Sequence, residues 1–305
     1  MNDEKVLLVG DNPFHGVSHL SQERATSRGE KLTNPSYAAE LVITSVENGA
    51  DGFMFTVSET TLSILRIISR REEYNQLQLY AIVPYTYEFV RSAPLAGGIP
   101  GLARKLAKEI ASSRNWRAVV NGVTGIITTT PTALLRSYLI YEVFRLKSAA
   151  GKRANLVSLL LHELVTDMAL ALNMDWLFRM YIDFVSSVRI KPGFETRNFP
   201  CLVQKFKEWG IDFNGIVMAA PFNSIGFQMC PSREKCEEAL AEIPEAEVIA
   251  FSILAAGYLK LPEAIEYVVN LPNLKGVAVG ASKECHVRQT FNVLKKRCKC
   301  SGLEL

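Results

Sequence analysis

Long hydrophobic runs are absent from the 305-residue sequence. The longest predominantly apolar stretch, 248–259, has 12 residues, whereas a membrane-spanning helix needs about 20. The first residues, Met-Asn-Asp-Glu-Lys, are polar and do not resemble a secretory signal. We therefore expect a cytoplasmic protein that does not bind membranes.

An excess of one charge sign is also absent. The 34 basic and 31 acidic side chains give a net charge of +3, which is too balanced to indicate a nucleic-acid partner. The six cysteines have no regular spacing, so we expect reduced thiols. Neither the pair Cys298 and Cys300 nor the pair Cys230 and Cys236 has the spacing of a structural zinc site.

Glycine-rich nucleotide-binding signatures are missing as well: no Gly-x-Gly-x-x-Gly follows the first strand, and there is no P-loop. Instead, eight short apolar runs alternate with amphipathic helical stretches. The predicted strands are 6–9, 52–57, 77–83, 156–162, 188–192, 215–220, 248–253 and 276–280. Continuously apolar strands are typical of strands that are buried on both faces, and each one here is followed by a helix. This pattern predicts an α/β fold, specifically a (β/α)₈ TIM barrel. A doubly wound open sheet is the main alternative.

One connection is much longer than the others. We expect a single domain, 1–305, with a helical insertion of 70 residues, 86–155, after strand three. Long connections are mostly lids or binding segments, and the helix-like run 132–146 is apolar around much of its circumference. The insertion is therefore expected to cover the barrel mouth or to form a homo-oligomer interface. Whether 122–129 adds a strand stays open.

Polar side chains follow strands one and four, at the barrel end that carries active sites. We predict His15 and His162 as catalytic acid and base, because the pKa of histidine lies near neutrality. Asp11 would orient His15, and Asn12 and Glu163 would bind the substrate. The alternatives are an ordinary capped turn after strand one and a buried structural His162. A metal site built from Asp11, His15, His162 and Glu163 is less favoured.

Further candidates follow strands five, six and eight. Arg197 could hold an anionic group of the substrate, and Asn223 could bind a hydroxyl or carbonyl group. Gly280, Ser282 and Lys283 open a helix and could bind an anion or the phosphate of a cofactor. The alternatives are a helix cap near Arg197 and an ordinary strand-to-helix turn at Gly280.

From about residue 156 onward the sequence resembles a remote aldo/keto reductase. Leu159-Leu-Leu-His162 is similar to that family's fourth strand, which ends in a catalytic histidine, and 193–198 resembles the segment after its fifth strand. Pro221-Phe-Asn223, 248–259, 279–282 and 286–289 follow in the family's order. The resemblance implies a barrel with its site at the strand ends and an NAD(P) cofactor near strands seven and eight.

The rest of that family's catalytic set is missing. Phe55 stands about where the family has aspartate, no tyrosine follows nearby, and 81–84 contains no lysine. We therefore expect an enzyme of lyase or isomerase type that performs acid–base chemistry on a small polar, anionic substrate. The alternatives are an NAD(P)-binding oxidoreductase with altered catalytic residues and a non-catalytic barrel that binds a ligand or partner.

Overall fold

The computed structural model describes residues 4–15, 33–85, 131–151, 153–280 and 282–299. In these residues the strands are β1 Val6–Gly10, β2 Gly52–Thr56, β3 Gln78–Val83, β4 Asn155–Leu161, β5 Lys191–Glu195, β6 Val217–Pro221, β7 Glu247–Phe251 and β8 Leu274–Val279. The α-helices are α1 Pro35–Glu47, α2 Glu59–Ile68, α3 Pro131–Ala150, α4 Glu163–Ala171, α5 Asp175–Ser187, α6 Phe199–Trp209, α7 Arg233–Ala241, α8 Leu261–Asn270 and α9 Glu284–Lys299.

The strands form a closed parallel barrel in chain order, in which β8 pairs with β1. This confirms the predicted (β/α)₈ barrel. The strand sequences are continuously apolar because one face packs on the outer helices and the other fills the lumen. None of the described helices is long and apolar enough to cross a membrane.

Alternating side chains divide the core into two layers. The lumen is filled by Leu8, Met54, Tyr80, Ile82, Leu160, Val217, Ala219, Ile249 and Ala278. A larger apolar layer lies between the strands and the helices. Because the barrel centre is packed solid, a substrate can reach the lumen only at its ends. The end where the strands finish is called the mouth below.

Helix α3 corrects part of the predicted insertion 86–155. It packs against α2 and α5 on the barrel wall, with Leu139 fully buried. Arg145 on α3 donates a hydrogen bond of 2.6 Å to Glu59 on α2. The helix therefore lies in the barrel's outer ring, in contact with α2 and α5. Residues 86–130, which include 122–129, lie outside the described part of the chain, and a role in covering the mouth or in oligomerisation stays a prediction.

Strand β5 begins and ends three residues later than predicted. Helix α5 ends at Ser187, Val188 caps it, and Arg189 adopts a left-handed conformation with φ of 60°, so the chain turns there before the strand begins at Lys191. The ends of the other seven strands lie within two residues of the predicted ones. The shift matters for the site because it makes Glu195 the last residue of β5.

Candidate active site

The carboxylate of Asp11 organises the mouth at the end of β1. Its Oδ2 accepts hydrogen bonds from Nε2 of His15 at 2.9 Å and from the backbone N–H of Thr56 at 2.7 Å. A single 3₁₀ turn, Asn12–His15, brings the imidazole back over the carboxylate. Asp11 thus ties β1 to the end of β2 and holds His15 in place, as the sequence analysis expects.

The surroundings of His15 favour its protonated form. Burial by itself lowers the pKa of His15, but the hydrogen bond to Asp11 and the charge of Asp11 outweigh burial and leave this pKa raised above 6.5. The ring of Tyr85, at the end of β3, lies 5.2 Å from the imidazole centroid. When His15 is neutral, its Nε2–H donates to Asp11, which makes Nδ1 the basic nitrogen.

His162 follows β4 and caps helix α4. Its Nδ1 accepts a hydrogen bond of 3.1 Å from the backbone N–H of Leu164, and its own backbone N–H donates to the carbonyl of Val83 at 2.8 Å. Because Nδ1 acts as an acceptor, the neutral ring carries its proton on Nε2. The sequence analysis places His162 at this strand end but cannot identify the tautomer.

The pKa of His162 is shifted in the opposite direction to the pKa of His15. Burial lowers the pKa of His162, the charges of Glu163 and Asp11 partly offset this, and the charge of Arg197 lowers the pKa further. The net effect is a pKa below 6.5. His162 is therefore a neutral hydrogen-bond donor at neutral pH, rather than an imidazolium.

Glu195 is a site residue that the sequence analysis missed. Its partner in the β5–β6 register is Ala219, which faces the lumen, so Glu195 also faces the lumen. Its Oε2 accepts a hydrogen bond of 3.3 Å from the backbone N–H of Glu163. Although partly exposed at the mouth, Glu195 has its pKa raised to about 8, chiefly by desolvation and then by the charge of Glu163. If β5 is placed at Lys191–Glu195, the alternation of side chains along the strand puts Lys191, Gly193 and Glu195 on one face. This pattern could have identified Glu195 from the sequence.

Arg197 and Glu163 form an ion pair beside Glu195. Nε of Arg197 donates to Oε2 of Glu163 at 2.7 Å, and the guanidinium carbon lies 5.9 Å from the ring centroid of Phe251. The backbone N–H of Arg197 donates to Oδ2 of Asp167 at 3.1 Å, and the hydroxyl of Thr196 also donates to this carboxylate. Asp167 lies one helical turn after Glu163 and had no signal of its own in the sequence.

Five predicted site residues are brought to the mouth: Asp11, His15, His162, Glu163 and Arg197. The charge of Asp11 acts on the pKa of both His162 and Glu195, so each of these two groups lies within electrostatic range of Asp11. Asn12 is exposed next to Asp11. The mouth is thus a cluster of titratable groups from β1, β4 and β5.

Asn223, a predicted substrate ligand, holds a loop together in the structure. Its side chain is fully buried after β6. Nδ2 donates to the carbonyl of Phe227 at 2.9 Å, and Oδ1 accepts from the N–H of the same residue at 2.7 Å. Both halves of the amide therefore hold the loop together, and contact of Asn223 with a substrate stays a prediction.

The turn after β8 packs closely against the turn after β1. A Cβ atom on Gly280 would lie 2.8 Å from Cδ of Pro13, so the glycine allows the close packing of these two turns. Ser282 is half-buried and Lys283 is exposed just before α9. Anion binding by these residues stays a prediction.

The position of Phe55 argues against a reductase site. Phe55 is fully buried and stacks on Phe53, with ring centroids 4.7 Å apart, in the layer between strands and helices. It therefore supplies no proton-relay group to the mouth. At the position of Phe55, the described residues therefore depart from the aldo/keto reductase pattern given in the sequence analysis. In the same described part of the chain, no three His, Cys, Asp or Glu side chains are arranged to hold a metal ion.

Comparison with models of known protein families and with curated protein sequences gives no match. Solved structures do match. A putative aldo-keto reductase from Pseudomonas aeruginosa superimposes with a TM-score of 0.60 at 12% identity, over 97% of this chain and 92% of that one. An aldo-keto reductase from Bacillus halodurans, in its holo form, gives a TM-score of 0.56 at 10% identity, over 96% and 87%. At these identities the likeness concerns the fold, and it shows that this chain is a (β/α)₈ barrel remotely similar to the aldo-keto reductases.

Proposed function

We propose that this protein is an enzyme of lyase or isomerase type that moves protons on a small polar substrate at the mouth. One observation carries the proposal: two histidines at the mouth are each held by one ring nitrogen, His15 by Asp11 at 2.9 Å and His162 by the N–H of Leu164 at 3.1 Å, and their pKa values are shifted in opposite directions. Titratable groups whose pKa values are pushed apart are typical of paired acid–base roles. A purely structural cluster would not require this divergence.

His162 takes the role of a fixed hydrogen-bond donor. Its Nδ1 is engaged by the N–H of Leu164, so its Nε2–H is the group that would polarise a carbonyl oxygen of the substrate. A donor already oriented by helix α4 needs no reorganisation during the reaction, which is the usual source of electrostatic catalysis. This role replaces the expectation that His162 is simply an acid or a base.

His15 would remove a proton from the substrate, and Glu195 would donate one to it. Nδ1 of His15 would take a proton from the carbon next to the carbonyl, and Asp11 would stabilise the imidazolium that forms. Glu195, protonated at neutral pH, would donate a proton to a substrate oxygen. In an elimination that oxygen leaves as water when the carbon–oxygen bond breaks. The base has then gained one proton and the acid has lost one, and solvent restores both. In an isomerisation the oxygen instead becomes a hydroxyl group of an enediol. The imidazolium of His15 would then return a proton to the neighbouring carbon, and the carboxylate of Glu195 would take the proton of the other hydroxyl as the new carbonyl forms, which restores both groups.

Solvent exchange tests the proposal even before the substrate is identified. The protein is incubated in D₂O with a panel of small hydroxy ketones, hydroxy aldehydes and hydroxy acids, and deuterium incorporation is followed by proton NMR. We expect incorporation into at least one compound, reduced by about 10² to 10⁴ in His15→Asn. Glu40→Gln, which breaks an exposed ion pair with Arg71 on the outer helices, is the control and should leave the rate unchanged. Equal rates for wild type and His15→Asn across the panel would refute the proposal and favour a non-catalytic binding barrel.

Titration with NADH and NADPH tests the oxidoreductase alternative. Because Gly280 packs against Pro13 and Phe55 lies in the core, we expect no binding at micromolar concentrations. Micromolar binding of either dinucleotide would instead favour a reductase with altered catalytic residues.

A further inference from the structure

We infer that Arg197 binds an anionic group of the substrate, a carboxylate or a phosphate, through its two terminal nitrogen atoms while Glu163 holds its Nε. The inference rests on the function proposed above and adds the charge class of the substrate and the side chain that recognises it. It agrees with the anionic substrate expected from the sequence.

Three contacts hold Arg197 in place. Its Nε donates a hydrogen bond of 2.7 Å to Oε2 of Glu163, on helix α4. Its backbone N–H donates to Oδ2 of Asp167, one helical turn further along α4, at 3.1 Å. The guanidinium carbon lies 5.9 Å from the centroid of the Phe251 ring, within the range of a cation–π contact. A side chain that is already held in this way loses little conformational freedom when it binds a ligand, which favours affinity.

The contact with Phe251 shows that the guanidinium points towards the mouth. Phe251 is the last residue of β7, and its side chain packs against the residues that fill the lumen. Arg197 follows β5, which is two strands away from β7 in the barrel. The side chain therefore extends past the end of β6 towards the lumen side of β7, rather than outwards to the helices.

The two terminal nitrogen atoms of Arg197 are left for a ligand. Among the residues that the structure describes, Glu163 accepts from Nε, and neither Nη1 nor Nη2 has a hydrogen-bond or ion-pair partner. The side chain of Arg197 is 29% exposed, so a ligand can reach these atoms. An anion can therefore bind to them without displacing Glu163. The paired N–H groups of a guanidinium match the two oxygen atoms that a carboxylate or a phosphate presents.

Glu163 connects Arg197 to the groups that would move protons. Its side chain accepts from Arg197, and its backbone N–H donates to Oε2 of Glu195 at 3.3 Å. His162 is the preceding residue in the chain. An anionic group held by Arg197 would thus place the adjacent carbon atoms of a small substrate beside Glu195 and His162. Binding of a group that does not react would then orient the carbon that does.

Three hydroxy ketones with the same three-carbon skeleton test the inference. Dihydroxyacetone is neutral, hydroxypyruvate has a carboxylate in place of one hydroxymethyl group, and dihydroxyacetone phosphate carries a phosphate. Their binding to the wild type is measured by NMR line-shape titration at neutral pH and constant ionic strength. We expect at least one of the two anions to bind about tenfold or more tightly than the neutral compound, and the tighter anion identifies the group. If neither anion binds more tightly than dihydroxyacetone, or neither binds at millimolar concentrations, the inference is overturned.

The variant Arg197→Gln tests the residue itself. It removes the paired N–H groups and the charge, so affinity for the preferred anion should fall by about tenfold or more, and affinity for dihydroxyacetone should change little. Because this variant leaves Glu163 without its cation, the double variant Arg197→Gln with Glu163→Gln, which removes both charges, is measured beside it and should show the same loss.

Arg71→Gln is the matched control. It removes the same charge from an exposed ion pair with Glu40 of α1, away from the mouth, and should bind all three compounds as the wild type does. Anion affinity that persists in the double variant, or that falls equally in Arg71→Gln, contradicts the inference, because Arg197 would then not be the group that binds the anion.

Deuterium exchange on the same three compounds separates the two proposals, because each has C–H groups next to its carbonyl. If an anion binds through Arg197 and neither these compounds nor the rest of the panel exchange deuterium, the proton-transfer function fails and the anion site stands. If one of them exchanges deuterium and Arg197→Gln leaves its rate below saturation unchanged, the anion site is wrong and the function stands.

Discussion

The substitution Glu195→Gln isolates the titration of one carboxyl group at the mouth. Glutamine has nearly the same shape and retains a carbonyl oxygen to accept the N–H of Glu163, but it cannot ionise. The ordinary pKa of this carboxyl is 4.5, and in the folded protein it is raised to about 8. Between these values the folded state holds a proton that the unfolded state has released. The wild type must therefore lose stability as the pH rises from 4.5 to about 8.

The size of the effect follows from the two pKa values. A shift of the Glu195 pKa from 4.5 to about 8 corresponds to a change of ~5 kcal/mol in the free energy of unfolding, at about 1.4 kcal/mol for each pH unit. Glu195 is partly exposed, and its pKa also depends on the charge of Glu163, so we discount this upper limit for solvent screening and expect about 2 to 3 kcal/mol.

Urea denaturation near pH 4 and near pH 9 measures this difference. Glu195→Gln should match the wild type at the lower pH and be more stable by about 2 to 3 kcal/mol at the higher pH. Glu266→Gln, an exposed substitution on α8, is the matched control and should follow the wild type at both. A stability difference that is the same at both pH values would refute the reasoning, because it would not arise from ionisation of Glu195.

Further substitutions test the other parts of the site. His162→Asn retains a side-chain acceptor for capping α4, whereas His162→Ala should lose about 1 kcal/mol of stability in urea denaturation; both should lose solvent-exchange activity. Asp11→Asn should lower the pKa of His15, because the charge that offsets burial is removed; an NMR titration in which this pKa does not move would contradict the pairing. Gly193→Ala should cost about 1 to 3 kcal/mol in thermal unfolding, since its Cβ would lie 2.7 Å from a β4 side chain. Asn223→Ala should cost about 1 to 3 kcal/mol without changing ligand affinity, because its amide holds a loop.

The barrel could be predicted because its determinants are local. Short apolar runs alternate with amphipathic helices along the chain, and this order by itself favours parallel strands covered on both faces. The position of β5 could not be predicted in the same way. The chain turns at Arg189 in a left-handed conformation, and no glycine marks the turn in the sequence. The place of α3 could not be predicted for a related reason. A helix that is apolar around much of its circumference can lie on a barrel wall as well as in a lid, and only the contacts of α3 with α2 and α5 place it on the wall.

The candidate site, like the fold, has features that the sequence predicts and features that depend on tertiary structure. The sequence by itself determined that His15 and His162 stand at strand ends, because the residue that follows an apolar strand of a barrel reaches the mouth wherever the helices pack. Only the tertiary structure decided the charge state of these groups. Arg197 pairs with Glu163 across 34 positions of sequence, and Glu195 enters the lumen through the register of β5 with β6. Desolvation and Coulomb interactions depend on distances between elements that are remote in the chain, so a sequence pattern cannot show which charges are already paired.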